Sequence, residues 1–138
     1  MVVVGAGFAG LQVVRRLACQ PVDVTLLDRR NYNTFQPLLY QVATAGLNPS
    51  DIAVPIRRIL RRQKNVEVLL AEAMAVDLEE KLVFLDEGTV SYDYLIAATG
   101  ARHSYFGRDG WAQFAPGLKS IGDALEIRRR VLSAFELA

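Results

Sequence analysis

A glycine-rich turn between two apolar segments constrains the fold of this chain more than any other feature. Three valines at 2–4 lead into it, residues 8–19 carry apolar side chains at helical spacing, and the apolar segment 22–27 ends at Asp28. The glycines, in G-x-G-x-x-G spacing, are Gly5, Gly7 and Gly10. This order predicts a βαβ unit, in which two parallel strands are joined by a right-handed crossover through a helix.

Each glycine has a physical reason to be where it is. Gly5 permits the tight turn, Gly7 lets a pyrophosphate approach the backbone, and Gly10 lets the helix pack close to the strand. The N-terminus of the helix adds N–H groups and partial positive charge that favour a phosphate. The alternative is a βα turn whose glycines serve packing alone.

The acidic residue at the end of the second strand narrows the choice of nucleotide. Asp28 lies 18 residues after Gly10, near the spacing of roughly 20 expected for a carboxylate that binds a ribose. A carboxylate there repels a 2′-phosphate, which disfavours NADP and leaves NAD or FAD. The alternative for Asp28 is a solvated strand end. One of Arg29 and Arg30 is expected to lie over the adenine or near a phosphate, and the alternative is that both are simply solvated.

The remainder of the chain alternates between short elements and two long loops. Residues 29–50 are expected to be irregular, with a short helix at 37–43, and residues 101–119 are expected to be a loop. The predicted strands are 66–70, 73–78, 82–86 and 94–100, with a hairpin-like turn at 87–89. The predicted helices are 54–62, with Pro55 in its first turn, and 123–137, capped by Ser120 with Asp123 or by Asp123 with Glu126.

Composition excludes several classes of function. The chain has 138 residues, half of them hydrophobic, which indicates a globular domain, and a net charge of +1, which argues against bulk nucleic-acid binding. Its single cysteine, Cys19, excludes an internal disulfide and fits a reducing compartment. One histidine, His103, and one cysteine do not favour a metal site. His103 is interpreted as a loop histidine, with an approach to substrate or flavin as the alternative.

Two further features bear on membranes. No apolar run approaches the roughly 20 residues of a membrane span, and the first residues lack the basic region of a signal peptide. Arginines cluster at 57–62 on one face of a predicted helix. A solvated face explains that cluster, and attraction to a membrane surface is the alternative.

The segment "TVSYDYLIAATGA" at 89–101 favours FAD over NAD. It resembles the second flavin motif of flavoproteins with two dinucleotide sites, in which a strand ends in A-T-G close to the FAD diphosphate and ribose. The short strands at 66–86 resemble the β-meander that precedes A-T-G in those proteins. The alternative for Thr99 is an ordinary threonine at a strand end.

Four segments together resemble the type II NADH:quinone oxidoreductases: "VVVGAGFAGL", "LLDRRNYNTFQPLLYQVATAGLNPSDIAVPIRRIL", "YDYLIAATGARHSYFG" and "ALEIRRRVLSAFELA". The stretch at 33–47 is the most distinctive, and the similarity runs along essentially the whole chain. The family implies non-covalent FAD, electron transfer from NADH to a membrane quinone in a respiratory chain, and a peripheral location on the cytoplasmic face of the membrane.

The resemblance assigns cofactor contacts and no catalytic residue, because the flavin carries the chemistry. The glycines and Asp28 would hold the ADP moiety, Ala73 would meet the adenine, and Pro37 to Thr44 would approach the isoalloxazine. The alternative for Gln41 is a glutamine on a helix surface. The implied cofactor-binding residues are Gly5, Gly7, Phe8, Ala9, Gly10, Asp28, Arg29, Gln41, Ala73, Thr99 and Gly100.

The family also has features that this chain lacks. They are the second G-x-G-x-x-G of an inserted NADH domain, a later flavin-binding aspartate, the quinone segment and a C-terminal amphipathic membrane helix. The expected fold class is α/β. The βαβ unit, the short strands and the resemblance together predict a Rossmann-like three-layer parallel-sheet FAD-binding domain with a small β-meander. Residues 1–138 would be its N-terminal part, soluble alone and unable to oxidise NADH, with membrane attachment through the absent C-terminal region.

Some alternatives stay open at this point. The chain could belong to another pyridine-nucleotide flavoprotein reductase, or be a stand-alone module that binds FAD or NAD without turnover. A homodimer is also left open.

Overall fold

A computed structural model describes residues 1–137, which fall into two compact units. The first comprises residues 1–33 and 55–100, and the second comprises residues 34–54 and those from 101 onward. The strands are β1 Val2–Val4, β2 Val24–Asp28, β3 Tyr32–Thr34, β4 Ala53–Pro55, β5 Val66–Leu70, β6 Ala73–Asp77, β7 Leu82–Leu85, β8 Thr89–Ser91 and β9 Leu95–Ala97. The α-helices are α1 Phe8–Arg16, α2 Leu39–Ala43, α3 Pro49–Ile52, α4 Ile56–Leu60 and α5 Ile121–Glu136.

A parallel four-stranded sheet forms the centre of the first unit, in the order β5-β2-β1-β9. Val2 of β1 lies opposite Thr25 on one side and Leu95 on the other. The predicted α/β fold with a parallel sheet is confirmed. Strand β1 pairs with β2 on one side and with β9 on the other, so the order of the strands reverses direction at β1. The glycine turn follows β1, and ligands of open parallel sheets bind at such a reversal point.

Alternate side chains of the sheet face two different layers, as the period of two in a strand requires. Val3 and Leu26 pack against α1 and α4 in one apolar cluster. Val2 and Leu27 pack against Val83 of β7 in another. Strands β6, β7 and β8 form an antiparallel meander over that second face. The predicted three layers and the β-meander are therefore confirmed.

Helix α1 and strand β2 are both shorter than predicted, and one distant side chain binds the turn between them. The predictions were helix 8–19 and strand 22–27, whereas α1 ends at Arg16 and β2 begins at Val24. The Asn65 amide donates hydrogen bonds to the carbonyls of Leu17 at 2.9 Å and Val22 at 2.8 Å. The Leu17 carbonyl also accepts the Gln20 N–H at 3.0 Å, and Pro21 has no N–H with which to continue the helix.

The prediction that Pro55 lies inside a helix was wrong. Strand β4 ends at Pro55, whose ψ of 129° is extended, and α4 begins one residue later. The cause is pairing of β4 with β3 and a hydrogen bond of 3.0 Å from the Ile56 N–H to the Asn31 carbonyl. The segment 29–50 holds the predicted short helix as a 3-10 turn at Gln36–Leu38 followed by α2, and it also contains β3 and the beginning of α3.

The second unit is built on the packing of α2 and α3 with α5. Its core residues are Leu39, Val42, Ala43, Ile52 and Ala124. Helix α5 begins at Ile121, two residues before the predicted start, because Ser120 and Asp123 form a capping box. The first of the two predicted caps is therefore correct. Of the helices that the structure describes, none is long and apolar enough to cross a membrane.

Candidate dinucleotide-binding site

The turn after β1 requires glycine at position 5. Gly5 has a φ of +102°, and a β-carbon there would collide with the carbonyl oxygen of Ala98, just beyond β9. Its N–H donates to the Leu27 carbonyl of β2 at 2.7 Å. Gly5 is thus held between β2 and the residues just beyond β9. Its positive φ is one that residues other than glycine rarely adopt.

Gly10 permits the close approach of α1 to this turn. It is buried, and a β-carbon on it would overlap the Gly5 carbonyl oxygen. The same β-carbon would lie 3.5 Å from the side chain of Ala98. The predicted packing role of Gly10 agrees with this contact, although the nearest partner is the turn itself rather than the strand.

Gly7 faces open space, in contrast to the other two glycines. No heavy atom lies within 4 Å of a β-carbon built on it, and its φ of −76° is ordinary. Gly7, Phe8 and Ala9 are all exposed. Within residues 1–137, no side chain caps the N-terminus of α1, and its first turn contains no acidic residue. The positive end of the helix therefore borders a space that suits an anion.

Asp28 fixes the geometry of the turn from the end of β2. Its Oδ2 accepts a hydrogen bond from the Ala6 N–H at 2.7 Å, and its Oδ1 accepts one from the Arg30 N–H at 2.8 Å. The residue is half-buried. A carboxylate offers about four lone-pair positions, so each oxygen keeps acceptor capacity for a ribose hydroxyl.

Asn33 also belongs to this site, although no sequence motif predicts it. Its Nδ2 donates to the Ala6 carbonyl at 2.8 Å. The peptide groups on both sides of Ala6 are therefore held by side chains, at the N–H by Asp28 and at the carbonyl by Asn33. Only its place at the start of the distinctive stretch 33–47 could have drawn attention to it.

Arg29 connects the end of β2 to the start of β6. Its Nη1 lies 3.5 Å from Oε1 of Glu72, and both side chains are almost half exposed. Glu72 precedes Ala73, and the Ala71 N–H donates to the Asp28 carbonyl at 3.1 Å. The backbone before Ala73 is thus tied to the strand end that carries Asp28.

Thr99 and Gly100 follow β9 and are both exposed. The Cα of Thr99 lies 3.2 Å from the position that a β-carbon on Gly5 would take. Gly100 has a φ of +74°, which favours glycine. The A-T-G segment therefore borders the glycine turn.

Gln41 belongs to the second unit, whereas the ten other predicted site residues belong to the first unit. It is half-buried in α2, and its Nε2 donates to the Tyr40 hydroxyl at 2.9 Å.

His103 stacks edge-on against Tyr105, with ring centroids 5.4 Å apart. Among the residues described, no group of three or more metal-ligating side chains occurs.

The pKa values of two carboxylates of α5 lie below their usual values. Burial raises the pKa of Asp123, but hydrogen bonds from the Lys119 N–H and from the hydroxyl and N–H of Ser120 lower it more, so it ends below its usual value. The guanidiniums of Arg129 and then Arg130 lower the pKa of Glu126 to about 2. The predicted pair of Glu126 with Arg130 is present at 2.7 Å.

Comparison with known proteins matches this architecture to one family. Residues 1–134 match the family model described as pyridine nucleotide-disulphide oxidoreductase. The type II NADH:quinone oxidoreductase NdhA of Mycobacterium tuberculosis is 53% identical across 100% of this chain, which corresponds to 30% of that protein. The related enzyme Ndh of the same organism is 48% identical across 100% of this chain and 31% of its own length.

Solved structures agree with these sequence relatives. The chain superposes on NDH2 from Plasmodium falciparum, solved in complex with NADH, with a TM-score of 0.88 and 31% identity over 98% of this chain and 29% of that one. It also superposes on the sulfide:quinone oxidoreductase from Aquifex aeolicus, with a TM-score of 0.87 and 27% identity over 98% of this chain and 32% of that one. The chain spans about 30% of the length of the curated relatives it matches.

Proposed function

The chain belongs to the pyridine nucleotide-disulphide oxidoreductase family, and from this premise we propose that it contributes the FAD-binding portion of an NADH:quinone oxidoreductase. Residues 1–138 would be the N-terminal part of the FAD-binding domain. The observation that carries the proposal is the open space beside Gly7 at the uncapped N-terminus of α1, next to an Asp28 carboxylate with acceptor capacity to spare.

The residues of the first unit fit the ADP half of FAD. The backbone at Gly7, Phe8, Ala9 and Gly10 would receive the pyrophosphate, because a phosphate is favoured at a helix N-terminus and no β-carbon at Gly7 fills the approach. Asp28 would accept hydrogen bonds from ribose hydroxyls, and its carboxylate disfavours a 2′-phosphate.

The remaining proposed contacts surround that half-site. Ala73 would lie at the adenine with Arg29 beside it, while Thr99 and Gly100 would border the pyrophosphate. Gln41 would be the polar residue toward the isoalloxazine. When FAD is bound, it supplies the redox chemistry between NADH and a quinone, and the protein binds and orients it.

The substrates and the location follow from the relatives. NADH and quinone appear in the names of the type II enzymes, which supports them as the substrates of the whole protein. Peripheral attachment to the cytoplasmic face of a membrane fits a lipid-soluble quinone, and a homodimer is compatible with the proposal. The 138-residue chain alone would bind FAD without oxidising NADH.

A spectroscopic titration of the 138-residue chain tests this proposal. We expect FAD to bind saturably, with a shift of its visible absorption and a change of its fluorescence, and NAD to compete weakly. Binding of NAD in place of FAD would overturn the flavin assignment in favour of a stand-alone NAD module. Saturable FAD binding accompanied by NADH oxidation would contradict the statement that this portion is inactive.

A further inference from the structure

The two outer layers of the first unit carry opposite charge. The helix layer contains no acidic residue in α1 or α4, and its basic residues are Arg15, Arg16, Arg57, Arg58, Arg61, Arg62 and Lys64, the last three directly after α4. The segment 72–93, which includes the β-meander, contains seven acidic residues and one basic residue. The net charge of +1 for the whole chain conceals this separation.

The two layers lie on opposite faces of the parallel sheet, so the charge separation has a direction. Val3 and Leu26 of the sheet pack toward α1 and α4. Val2 and Leu27 pack toward Val83 of the meander. The basic residues and the acidic residues are therefore divided by the thickness of the sheet, and the unit has a basic side and an acidic side.

Cations from both helices of the helix layer meet at one cleft. Arg15 of α1 and Arg62, just after α4, line the same shallow cleft, together with Ile59 and Gln63. All seven basic side chains are exposed, and in the described part of the chain none of them has an ion-pair partner. Arg57 differs from the others, since its Nη2 donates to the Val68 carbonyl at 2.6 Å and so fastens α4 to β5.

We propose that this basic helix face, defined as the seven cations just named, docks the first unit on the anionic headgroups of a lipid bilayer. A surface with a negative potential attracts clustered Lys and Arg side chains within about a Debye length. The same bilayer surface repels the acidic meander. The charge separation therefore orients the first unit on the bilayer, in addition to attracting it there.

The choice of a bilayer over a nucleic acid rests on the proposed function, because a quinone acceptor is lipid-soluble. This contact is distinct from attachment through a C-terminal region, since every residue involved lies between positions 15 and 64. The test below uses neither FAD nor quinone, so its failure is distinguishable from failure of the proposed function.

The test is co-sedimentation of the 138-residue chain with vesicles at low ionic strength. One set contains phosphatidylcholine with about one third phosphatidylglycerol, and the other contains phosphatidylcholine alone. We expect binding to the first set only, with the bound fraction falling steeply as salt is raised. Equal binding to both sets, or no binding to the anionic vesicles, would overturn the proposal.

A matched pair of variants localises the contact. Each arginine near an anionic surface contributes about fivefold to binding, so R58Q/R61Q/R62Q should weaken it roughly a hundredfold. K81Q/R102Q/K119Q removes the same charge from exposed side chains outside the basic helix face, and it should bind nearly as the parent chain does. If both variants lost the same amount of vesicle binding, net charge rather than the basic helix face would determine binding. That result would contradict the proposal.

Two competitors and one fold control complete the test. Inorganic phosphate that releases the chain, when chloride of equal ionic strength does not, would indicate a discrete phosphate site instead of a bilayer surface. A short DNA duplex that binds the same face more tightly than anionic vesicles would make nucleic acid the partner. Circular dichroism of both variants should match the parent chain, because the substituted side chains are exposed and Arg57 is retained.

Discussion

The Asp28 carboxylate accepts the Ala6 N–H at 2.7 Å, which joins the end of β2 to the middle of the glycine turn. A residue proposed to bind ribose therefore also shapes the turn proposed to bind pyrophosphate. Asn33 completes the arrangement by donating to the Ala6 carbonyl at 2.8 Å. The two halves of the site are thus coupled, and substitutions in one should be felt in the other.

Asp28→Ala should destabilise the fold as well as weaken FAD binding. Two backbone N–H groups would lose a charged acceptor, and hydrogen bonds of this kind contribute about 2 kcal/mol each, or about 4 kcal/mol together. Denaturant unfolding should show a loss of that order in the free energy of unfolding, and FAD affinity should fall more than tenfold. Asp23→Ala is the control, because no hydrogen bond to its side chain is present in the described residues. Equal stability of the two variants would contradict this account of Asp28.

Gly7→Ala and Gly10→Ala should separate binding from folding. A methyl group at Gly7 meets no protein atom, so the unfolding free energy should fall by less than about 1 kcal/mol, the cost of alanine at an N-cap. FAD affinity should nevertheless drop at least tenfold, because the methyl occupies the proposed pyrophosphate approach.

Gly10→Ala should do the reverse, since its methyl overlaps backbone that cannot move aside. We expect a loss of about 3 kcal/mol in the free energy of unfolding, measured by denaturation. A Gly7→Ala protein that bound FAD as tightly as the parent chain would refute the assigned role of Gly7.

Asn33→Ala should reduce stability by about 1 kcal/mol, the net value of one part-buried hydrogen bond. FAD affinity should also fall several-fold, because the Ala6 carbonyl would no longer be fixed. Thermal unfolding and fluorescence titration measure the two effects. Asn31→Ala is the matched control, since Asn31 contributes its backbone carbonyl rather than its side chain. The prediction fails if both variants bind FAD equally.

Ser120→Ala should destabilise the second unit by about 1 kcal/mol, because it removes the side-chain cap of α5. The measurement is urea unfolding followed by helical circular dichroism. Ser133→Ala in the same helix is the control, and it should be neutral or slightly stabilising because alanine favours helix. A Ser120 variant as stable as the Ser133 variant would show that the capping box contributes nothing.

Helix α5 should lose stability in acid. The folded pKa of Glu126 is lowered from 4.5 to about 2, so its ion pairs stabilise the fold above pH 4.5 and are lost as pH falls toward 2. Asp123, whose pKa is also lowered, contributes above its ordinary value of 3.8 and is lost below it. Acid titration of Glu126→Gln should show a weaker pH dependence than the parent chain. The effect should be small and salt-sensitive, since the pair is at the surface.

Local sequence rules predict the elements that local forces create. The valines of β1, the three glycines and the helical spacing after them interact within a few residues, and the βαβ unit agrees with its prediction. The capping box of Ser120 and Asp123 is equally local. The position of Asp28 at the end of β2 follows from the same short-range pattern.

The features that escaped prediction depend on contacts between distant residues. Asn65 binds the turn between α1 and β2 from more than 40 positions away. Pairing between β3 and β4 moves Pro55 out of the predicted helix. Asn33 reaches the glycine turn across 27 positions. A single asparagine in a loop carries no periodic signal, so these roles become visible only in the folded chain.

The most direct test of the proposed site is to map FAD binding on the backbone amides by nuclear magnetic resonance. We predict that titration of the labelled chain with FAD shifts the amides of residues 5–10, of Arg29, of Ala73 and of residues 99–100, with one shared saturation curve. We expect no such shifts in the basic helix face. Saturable FAD binding that left the amides of residues 5–10 unmoved would contradict the central claim.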